Sequence, residues 1–241
     1  MIPVSQPYID KNDINLVTEQ ISSGWISSNA IVVSKFERLV EDFIGCEPDA
    51  GLAVSNGTSA IELSLRAFKL DKKKKVIVPD ITFAATANAV LSVGLDPYIL
   101  PVDEDFCYKN EPLINALESN DISAIVFVHL YGIECVTEFQ YNLINKFNNV
   151  ITIADCAEAF TAFRNDKHIG MNCDAFTFSF FANKVITTGE GGFVGFIDKD
   201  ISNTARLIRD HGMSRDHRYW HIEQGTNTRM AALQAALGIS Q

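Results

Sequence analysis

Cysteine is scarce in this 241-residue chain, which has five cysteines and no CxxC pair. Scattered thiols of this kind are typical of reducing compartments, so the sequence predicts a cytoplasmic protein without a disulfide framework. No apolar run approaches the ~18 residues of a membrane-spanning helix, and Met1–Asp13 lacks a basic start followed by an apolar block. We therefore expect no membrane association and no signal peptide.

Positive charge is also in short supply, because 20 Lys and Arg face 30 Asp and Glu, for a formal net charge of −10. An acidic surface repels phosphate backbones and anionic lipids, so we expect no nucleic-acid partner. The one basic run, Lys72–Lys75, is interpreted as a solvated turn. The contents of 47% hydrophobic and 21% charged residues are typical of a globular protein with a sizeable core.

Short β-rich runs alternate with helical patterns after the first fifty residues, and several runs are continuously apolar. Such strands are buried on both faces, which predicts an α/β layer fold with a mainly parallel sheet. The predicted strands are Gly51–Ser55, Val76–Pro79, Tyr98–Val102, Ala124–His129, Val150–Asp155, Ala175–Phe180 and Gly192–Ile197. The sheet is therefore about seven-stranded, in a three-layer α/β/α sandwich.

The predicted helices fill the gaps between these strands and also form an N-terminal segment over about residues 1–50. They are Lys11–Ser23, Ser34–Ile44, Thr58–Leu70, Thr82–Val93, Thr137–Phe147, Asp200–Asp210 and Thr228–Ile239. No flexible linker or internal repeat divides the chain, so residues 1–241 are predicted to form one domain.

Ligands of open α/β sheets bind beyond the carboxyl ends of the strands, and polar residues collect there. The first strand leads into Ser55–Ser59, where Gly57 precedes Thr58 at the start of a helix. Such a turn offers backbone amides, hydroxyls and the positive helix end to a phosphate. The alternative interpretation is a plain N-cap, with Thr58 capping its own helix.

The fifth predicted strand ends at Asp155, with Glu158 three residues later. A carboxylate at a buried strand end requires a cationic or hydrogen-bonding partner, and an equally good interpretation is that Asp155 caps a helix.

Lys184 follows an aromatic strand and precedes a glycine-rich turn, which is a setting where a lysine can react with an aldehyde. The alternative is a surface lysine in a loop.

Other motifs do not fit a competing chemistry. The glycines at 189, 191 and 192 lead into a strand, whereas a dinucleotide-binding fingerprint opens a helix, and no Walker motif is present. His217 and His221 have a spacing that can hold zinc on a helix, but no third ligand is evident, so no metal is predicted. His129 is either a core histidine or a pocket residue.

A phosphate-binding turn, a strand-end acid and an isolated lysine complement one another. Pyridoxal 5'-phosphate needs a phosphate cradle, an acid facing its pyridinium nitrogen and a lysine that forms a Schiff base. The residues Thr58, Asp155 and Lys184 thus favour this cofactor.

The sequence resembles the DegT-type sugar aminotransferases, which are pyridoxal-phosphate enzymes of fold type I. The matching segments follow in order through nearly the whole chain. They are Gly24–Ser27, Ser55–Ala60, Pro79–Asn88, His129–Gly132, Asp155–Ala157, Ser179–Phe181, Lys184–Gly192, Arg209–Gly212 and Asn227–Met230.

The resemblance implies a role for each matching residue. Lys184 forms the Schiff base and moves the proton, Asp155 keeps the pyridine nitrogen protonated, and Phe83 stacks on the ring. The resemblance places the phosphate at a cradle of four residues, namely Gly57, Thr58, Ser59 and Ser179. Asn227 reaches the phosphate of the partner subunit in a homodimer. Glu158 stands beside the ring hydroxyl, where the family most often has Gln.

The family also implies an activity, the transfer of an amino group from glutamate to a nucleotide-linked keto-sugar for polysaccharide or secondary-metabolite biosynthesis. Related dehydratases are expected to carry histidine in place of the lysine, so Lys184 argues against that reaction. Family members have a further C-terminal small domain, which we expect to be absent from this chain. The alternative is a truncated, non-catalytic homologue that binds the cofactor or a partner without turnover.

Overall fold

The computed structural model describes residues 2–3, 5–147 and 149–241. The helices of this part of the chain are α1 (Lys11–Ser22), α2 (Ile31–Ile44), α3 (Gly57–Ala67), α4 (Ala85–Ser92), α5 (Asn110–Glu118), α6 (Glu138–Ile144), α7 (Lys199–Arg209) and α8 (Ala232–Ser240). The strands are β1 (Gly51–Val54), β2 (Lys75–Pro79), β3 (Asp96–Leu100), β4 (Ile122–Val128), β5 (Ile151–Asp155), β6 (Phe163–Arg164), β7 (Lys167–His168), β8 (Ala175–Ser179) and β9 (Gly192–Phe196). No helix among these residues has the length and apolar character needed to cross a bilayer.

The central sheet has seven strands in the order β1-β9-β8-β5-β4-β2-β3. The pairs from β3 to β8 are parallel, and β9 runs antiparallel to both β8 and β1. The predicted seven-stranded, mainly parallel sheet is confirmed. Because β1, β4, β5 and β8 point the same way, their carboxyl ends meet at one edge of the sheet.

Helices cover both faces of the sheet, and β4 shows how the sequence produces two cores. All seven of its residues are buried. Ile125 and Phe127 join the cluster that contains Phe36 of α2, whereas Ala124 and Val126 join the opposite cluster with α3, α4 and α7. Alternate strand residues point to opposite faces, so a continuous apolar run serves both layers. The three-layer α/β/α architecture is thus confirmed.

The structure corrects several predicted boundaries. The cap of α3 is Asn56, whose side chain accepts a hydrogen bond from the Ser59 amide, so the interpretation of Thr58 as the N-cap is wrong. Helix α2 begins earlier than predicted, at Ile31, while α4 and α8 begin later, at Ala85 and Ala232. The short strands β6 and β7 form a separate hairpin that was not predicted.

Helix α5 was also not predicted, although its residues carry a helical pattern. Leu113, Ala116 and Leu117 are its buried face, at the spacing of one helical side. Pro112 lies in the first turn, where its missing N–H would have no helical acceptor in any case. A proline at this position is therefore compatible with the helix.

Candidate active site

A cavity of about 550 Å³ opens where the carboxyl ends of the parallel strands meet the N-terminus of α3. Eight of the nine predicted site residues line it, namely Gly57, Thr58, Ser59, Phe83, Asp155, Glu158, Ser179 and Lys184. They come from several segments between Gly57 and Lys184, and the sheet direction brings these segments together.

The start of α3 forms one end of the cavity and is shaped for an anion. Oδ1 of Asn56 accepts a hydrogen bond from the Ser59 amide at 2.8 Å. The two earlier amides of the helix, at Gly57 and Thr58, remain available to a ligand. A Cβ at Gly57 would lie 2.9 Å from Cβ of Ser179 and 3.2 Å from its Oγ. Only glycine therefore allows the α3 turn and the end of β8 to approach this closely, with hydroxyls on both sides.

Asp155 forms the floor of the cavity and is only 5% exposed. Its Oδ2 accepts a hydrogen bond from the Thr86 hydroxyl at 2.9 Å, and its Oδ1 accepts one from the Ala157 amide at 3.2 Å. Burial raises the pKa of this carboxyl, while the Thr86 and Ala157 hydrogen bonds and the charge of Lys184 act in the opposite direction. Such a buried carboxylate favours a cationic ligand atom.

Lys184 lies beyond β8 in a turn closed by its amide, which donates to the Phe181 carbonyl at 3.0 Å. Its side chain is 17% exposed, and Nζ is 3.3 Å from Oε1 of Glu158. The interpretation as a surface lysine is wrong, because the side chain lines the cavity. Phe83, by contrast, is 79% exposed and gives the cavity a flat aromatic wall.

His129 follows β4 and is both a core histidine and a pocket residue, since it is fully buried and also lines the cavity. Its Nδ1 accepts a hydrogen bond from the Cys135 amide at 3.1 Å, so a neutral ring carries its proton on Nε2. No acceptor for Nε2 is found in the described part of the chain. Burial lowers the pKa of His129 to about 4, so the ring is neutral near pH 7.

Asn227 is the predicted site residue that the fold does not bring to this cavity. It pairs with Asp210 in an antiparallel bridge, and it is not among the residues that line the cavity.

His217 and His221 lie in an irregular segment rather than on a helix, and Nδ1 of His221 is 2.9 Å from the His211 carbonyl. Over residues 2–3, 5–147 and 149–241 there is no cluster of three metal-ligating side chains.

Sequence reasoning missed two contributors to the site. Thr86, which holds Asp155, lies within the segment Pro79–Asn88 that carried part of the resemblance, but only the fold shows its contact. The backbone amide of Tyr131, which binds Glu158, has no side-chain signal at all.

The residues of this cavity fit pyridoxal phosphate. The Gly57–Ser179 approach leaves a cradle that a Cβ would fill, Asp155 is a buried carboxylate, and the lysine reaches the same space. A phosphate, a ring nitrogen and an aldehyde are the groups that these three features suit.

Comparison with known proteins supports the same assignment. A GDP-perosamine synthase of Caulobacter vibrioides is 37% identical over 240 residues, covering 100% of this chain and 64% of the relative. The structure of Helicobacter pylori PseC, an aminotransferase involved in the biosynthesis of pseudoaminic acid, matches with a TM-score of 0.88 and 29% identity, over 99% of this chain and 64% of PseC.

A third match, the putative sugar aminotransferase Spr1654 from Streptococcus pneumoniae in its PLP form, has a TM-score of 0.88 at 23% identity and supports the fold. It covers 99% of this chain and 65% of Spr1654. The chain thus spans about 64% of the length of the curated relative from Caulobacter. The family model for DegT/DnrJ/EryC1/StrS aminotransferases matches residues 7–241, and the chain belongs to this family.

Proposed function

We propose that residues 1–241 are the cofactor-binding large domain of a pyridoxal-phosphate-dependent aminotransferase. The reaction is the transfer of an amino group from glutamate to a nucleotide-linked keto-sugar. The observation that carries the proposal is the placement of Lys184, Asp155 and the α3 N-terminus around one cavity, in a chain of this family.

The bound cofactor supplies an electron-withdrawing ring that stabilises negative charge on the substrate carbon. Lys184 would hold the cofactor at its aldehyde carbon, with the carbonyl oxygen leaving as water, and its amine would move a proton as the general base once the substrate amine has displaced it. Asp155 would keep the ring nitrogen protonated, and its hydrogen bonds to Thr86 and Ala157 hold the carboxylate in place. Phe83 would stack on the ring, and Glu158 would lie beside the ring hydroxyl.

The phosphate is assigned to the turn at the start of α3. Gly57 would make room for it, and the hydroxyls of Thr58, Ser59 and Ser179, which line this end of the cavity, would donate hydrogen bonds to it. The positive end of the helix adds to the attraction.

We further propose a cytoplasmic homodimer in which Asn227 of each subunit completes the phosphate site of the other. The exclusion of Asn227 from the cavity lining of its own chain supports this arrangement. The five free cysteines, four of them buried, are consistent with a reducing compartment.

The attachment of the cofactor tests the proposal directly. Purified protein is mixed with pyridoxal 5'-phosphate, reduced with borohydride and digested, and the modified peptide is identified by mass spectrometry. We expect the label on the peptide that contains Lys184, and its loss in Lys184→Arg, which keeps the positive charge. A label on another lysine, such as one of Lys72–Lys75, would refute the assignment.

Residues 1–241 span about 64% of the curated relative, and an activity assay tests whether this part suffices for turnover. A small domain that closes over the substrate commonly supplies positioning and water exclusion. We therefore expect the 241-residue chain alone to show no sustained glutamate-dependent turnover of nucleotide keto-sugars in a coupled assay. Multiple turnovers would show that the large domain is sufficient.

A further inference from the structure

Glu158 joins two parts of the site that are far apart in the sequence. Its Oε1 is 3.3 Å from Nζ of Lys184, and its Oε2 accepts a hydrogen bond from the Tyr131 amide at 3.0 Å. Tyr131 has a φ of 56°, in the left-handed region that a bulky residue seldom adopts. The turn at residues 130–132 thus presents its amide to the carboxylate and fixes the direction of Glu158.

Among the residues that the structure describes, Glu158 is the carboxylate within ion-pair distance of Lys184. The titratable groups on the cavity wall are Glu62 of α3, His129 after β4, Asp155 at the end of β5, Glu158 in the following turn, Glu190 before β9 and Lys184 itself. Glu62 accepts a hydrogen bond from the Ser92 hydroxyl at 2.6 Å, and His129 is neutral near pH 7. Asp155 is held by Thr86 and Ala157 and acts on Lys184 from a longer distance.

We propose, on the basis of the proposed function, that Glu158 is a positioning residue for Lys184. One carboxylate oxygen of Glu158 accepts from the Tyr131 amide, and the other directs Nζ of Lys184 into the cavity. The two acids of the site then act on different nitrogens, Asp155 on that of the ring and Glu158 on that of Lys184, in addition to its place beside the ring hydroxyl.

The physical consequence is a dependence on pH that a neutral side chain would not produce. A negative charge within hydrogen-bond distance stabilises the protonated state of a nitrogen. Glutamine at position 158 keeps the size and the acceptor for the Tyr131 amide but removes the charge. The protonated form of the lysine nitrogen bound to the cofactor is therefore lost at a lower pH.

The experiment follows the visible absorption of the cofactor bound to Lys184 between pH 5 and pH 10, without any substrate. In Glu158→Gln we expect the pH midpoint of this band to fall by about one unit or more relative to wild type. Glu62→Gln is the matched control, because it removes a carboxylate of the same cavity that contacts Ser92, and its midpoint should stay within ~0.3 unit.

Glu158→Asp is the second variant, because it keeps the charge on a side chain one methylene shorter. Its midpoint should lie between those of wild type and Glu158→Gln. Equal midpoints in wild type and Glu158→Gln, or an equal shift in Glu62→Gln, overturn the inference while the proposed function stands. If wild type gives no band and borohydride leaves Lys184 unmodified, the proposed function fails, and the inference fails with it.

Discussion

His129 is a buried side chain that belongs both to the core and to the wall of the cavity. The Cys135 amide occupies one ring nitrogen, and burial removes the other from water. Among the described residues no carboxylate contributes to raising the pKa of this ring, so burial keeps it neutral in the folded protein. The imidazole therefore makes folding sensitive to acid.

The sign of this effect follows from the two states of the ring. Burial lowers the pKa of His129 from 6.5 to about 4, so between these values the unfolded chain binds a proton that the folded chain does not. Stability therefore falls as the pH drops from about 6.5 towards 4. We expect His129 to contribute roughly 2 kcal/mol to the loss of stability between pH 7 and pH 5.

His129→Asn tests this contribution, because asparagine can still accept the hydrogen bond from the Cys135 amide but does not titrate. Urea unfolding at pH 7 and pH 5 gives the free energy of each protein, and the wild type should lose more stability than the variant. Burial also lowers the pKa of His168, but that histidine is present in both proteins and cancels in the comparison. Parallel losses in the two proteins would exclude the proposed role of His129.

At the scale of elements, the close approach of α3 to β8 shapes the end of the cavity where we propose that the phosphate binds. An added methyl group in Gly57→Ala would meet Ser179 at 2.9 Å and displace its side chain. We expect the affinity for pyridoxal 5'-phosphate to fall at least about tenfold, while that for unphosphorylated pyridoxal changes little.

Fluorescence titration with the two compounds measures the ratio of their affinities. Thr58→Ser is the control, because it keeps a hydroxyl at the same turn and adds no atom. A similar loss of affinity for both compounds would mean that Gly57 affects the whole cavity rather than its phosphate end.

The elements also show where local sequence patterns were sufficient. Several strands of the central sheet were predicted because continuous apolar runs, such as the one that forms β4, fit burial on both faces, whereas the edge strand β3 is largely exposed. The boundaries of helices were less accurate, as at α3, because Ser, Thr and Asn can all act as caps. The actual cap depends on the side chain whose oxygen reaches the amide, which is Asn56 here.

At the scale of the whole molecule, two variants can test the proposal that Asn227 completes the site of a partner subunit. Subunits with Lys184→Ala and with Asn227→Ala are each expected to bind the cofactor poorly. In a mixed dimer, however, the intact Lys184 of one subunit receives the intact Asn227 of the other. Random pairing places about half of the chains in such dimers, each with one complete site.

The two variants are mixed under conditions that allow subunits to exchange. The visible absorption band of the bound cofactor should then return in part of the Asn227→Ala chains, which retain Lys184. The unmixed variants at the same total concentration are the controls. A mixture that gives no more than the sum of its unmixed components would contradict the shared site.

The sequence by itself determined the layers of the fold and predicted eight residues that line one cavity. Apolar patterns indicate most of the strands, and Lys184, Asp155 and Gly57 were predicted as site residues from their type and their positions beyond strand ends. Only the tertiary structure shows which groups form hydrogen bonds with the carboxylates of the cavity. Thr86 reaches Asp155 across 69 positions, and the Tyr131 amide reaches Glu158 across 27. Contacts between distant segments depend on the order of the strands and the path of the loops. Every residue except proline has a backbone amide, so the sequence does not indicate which amide binds a given side chain.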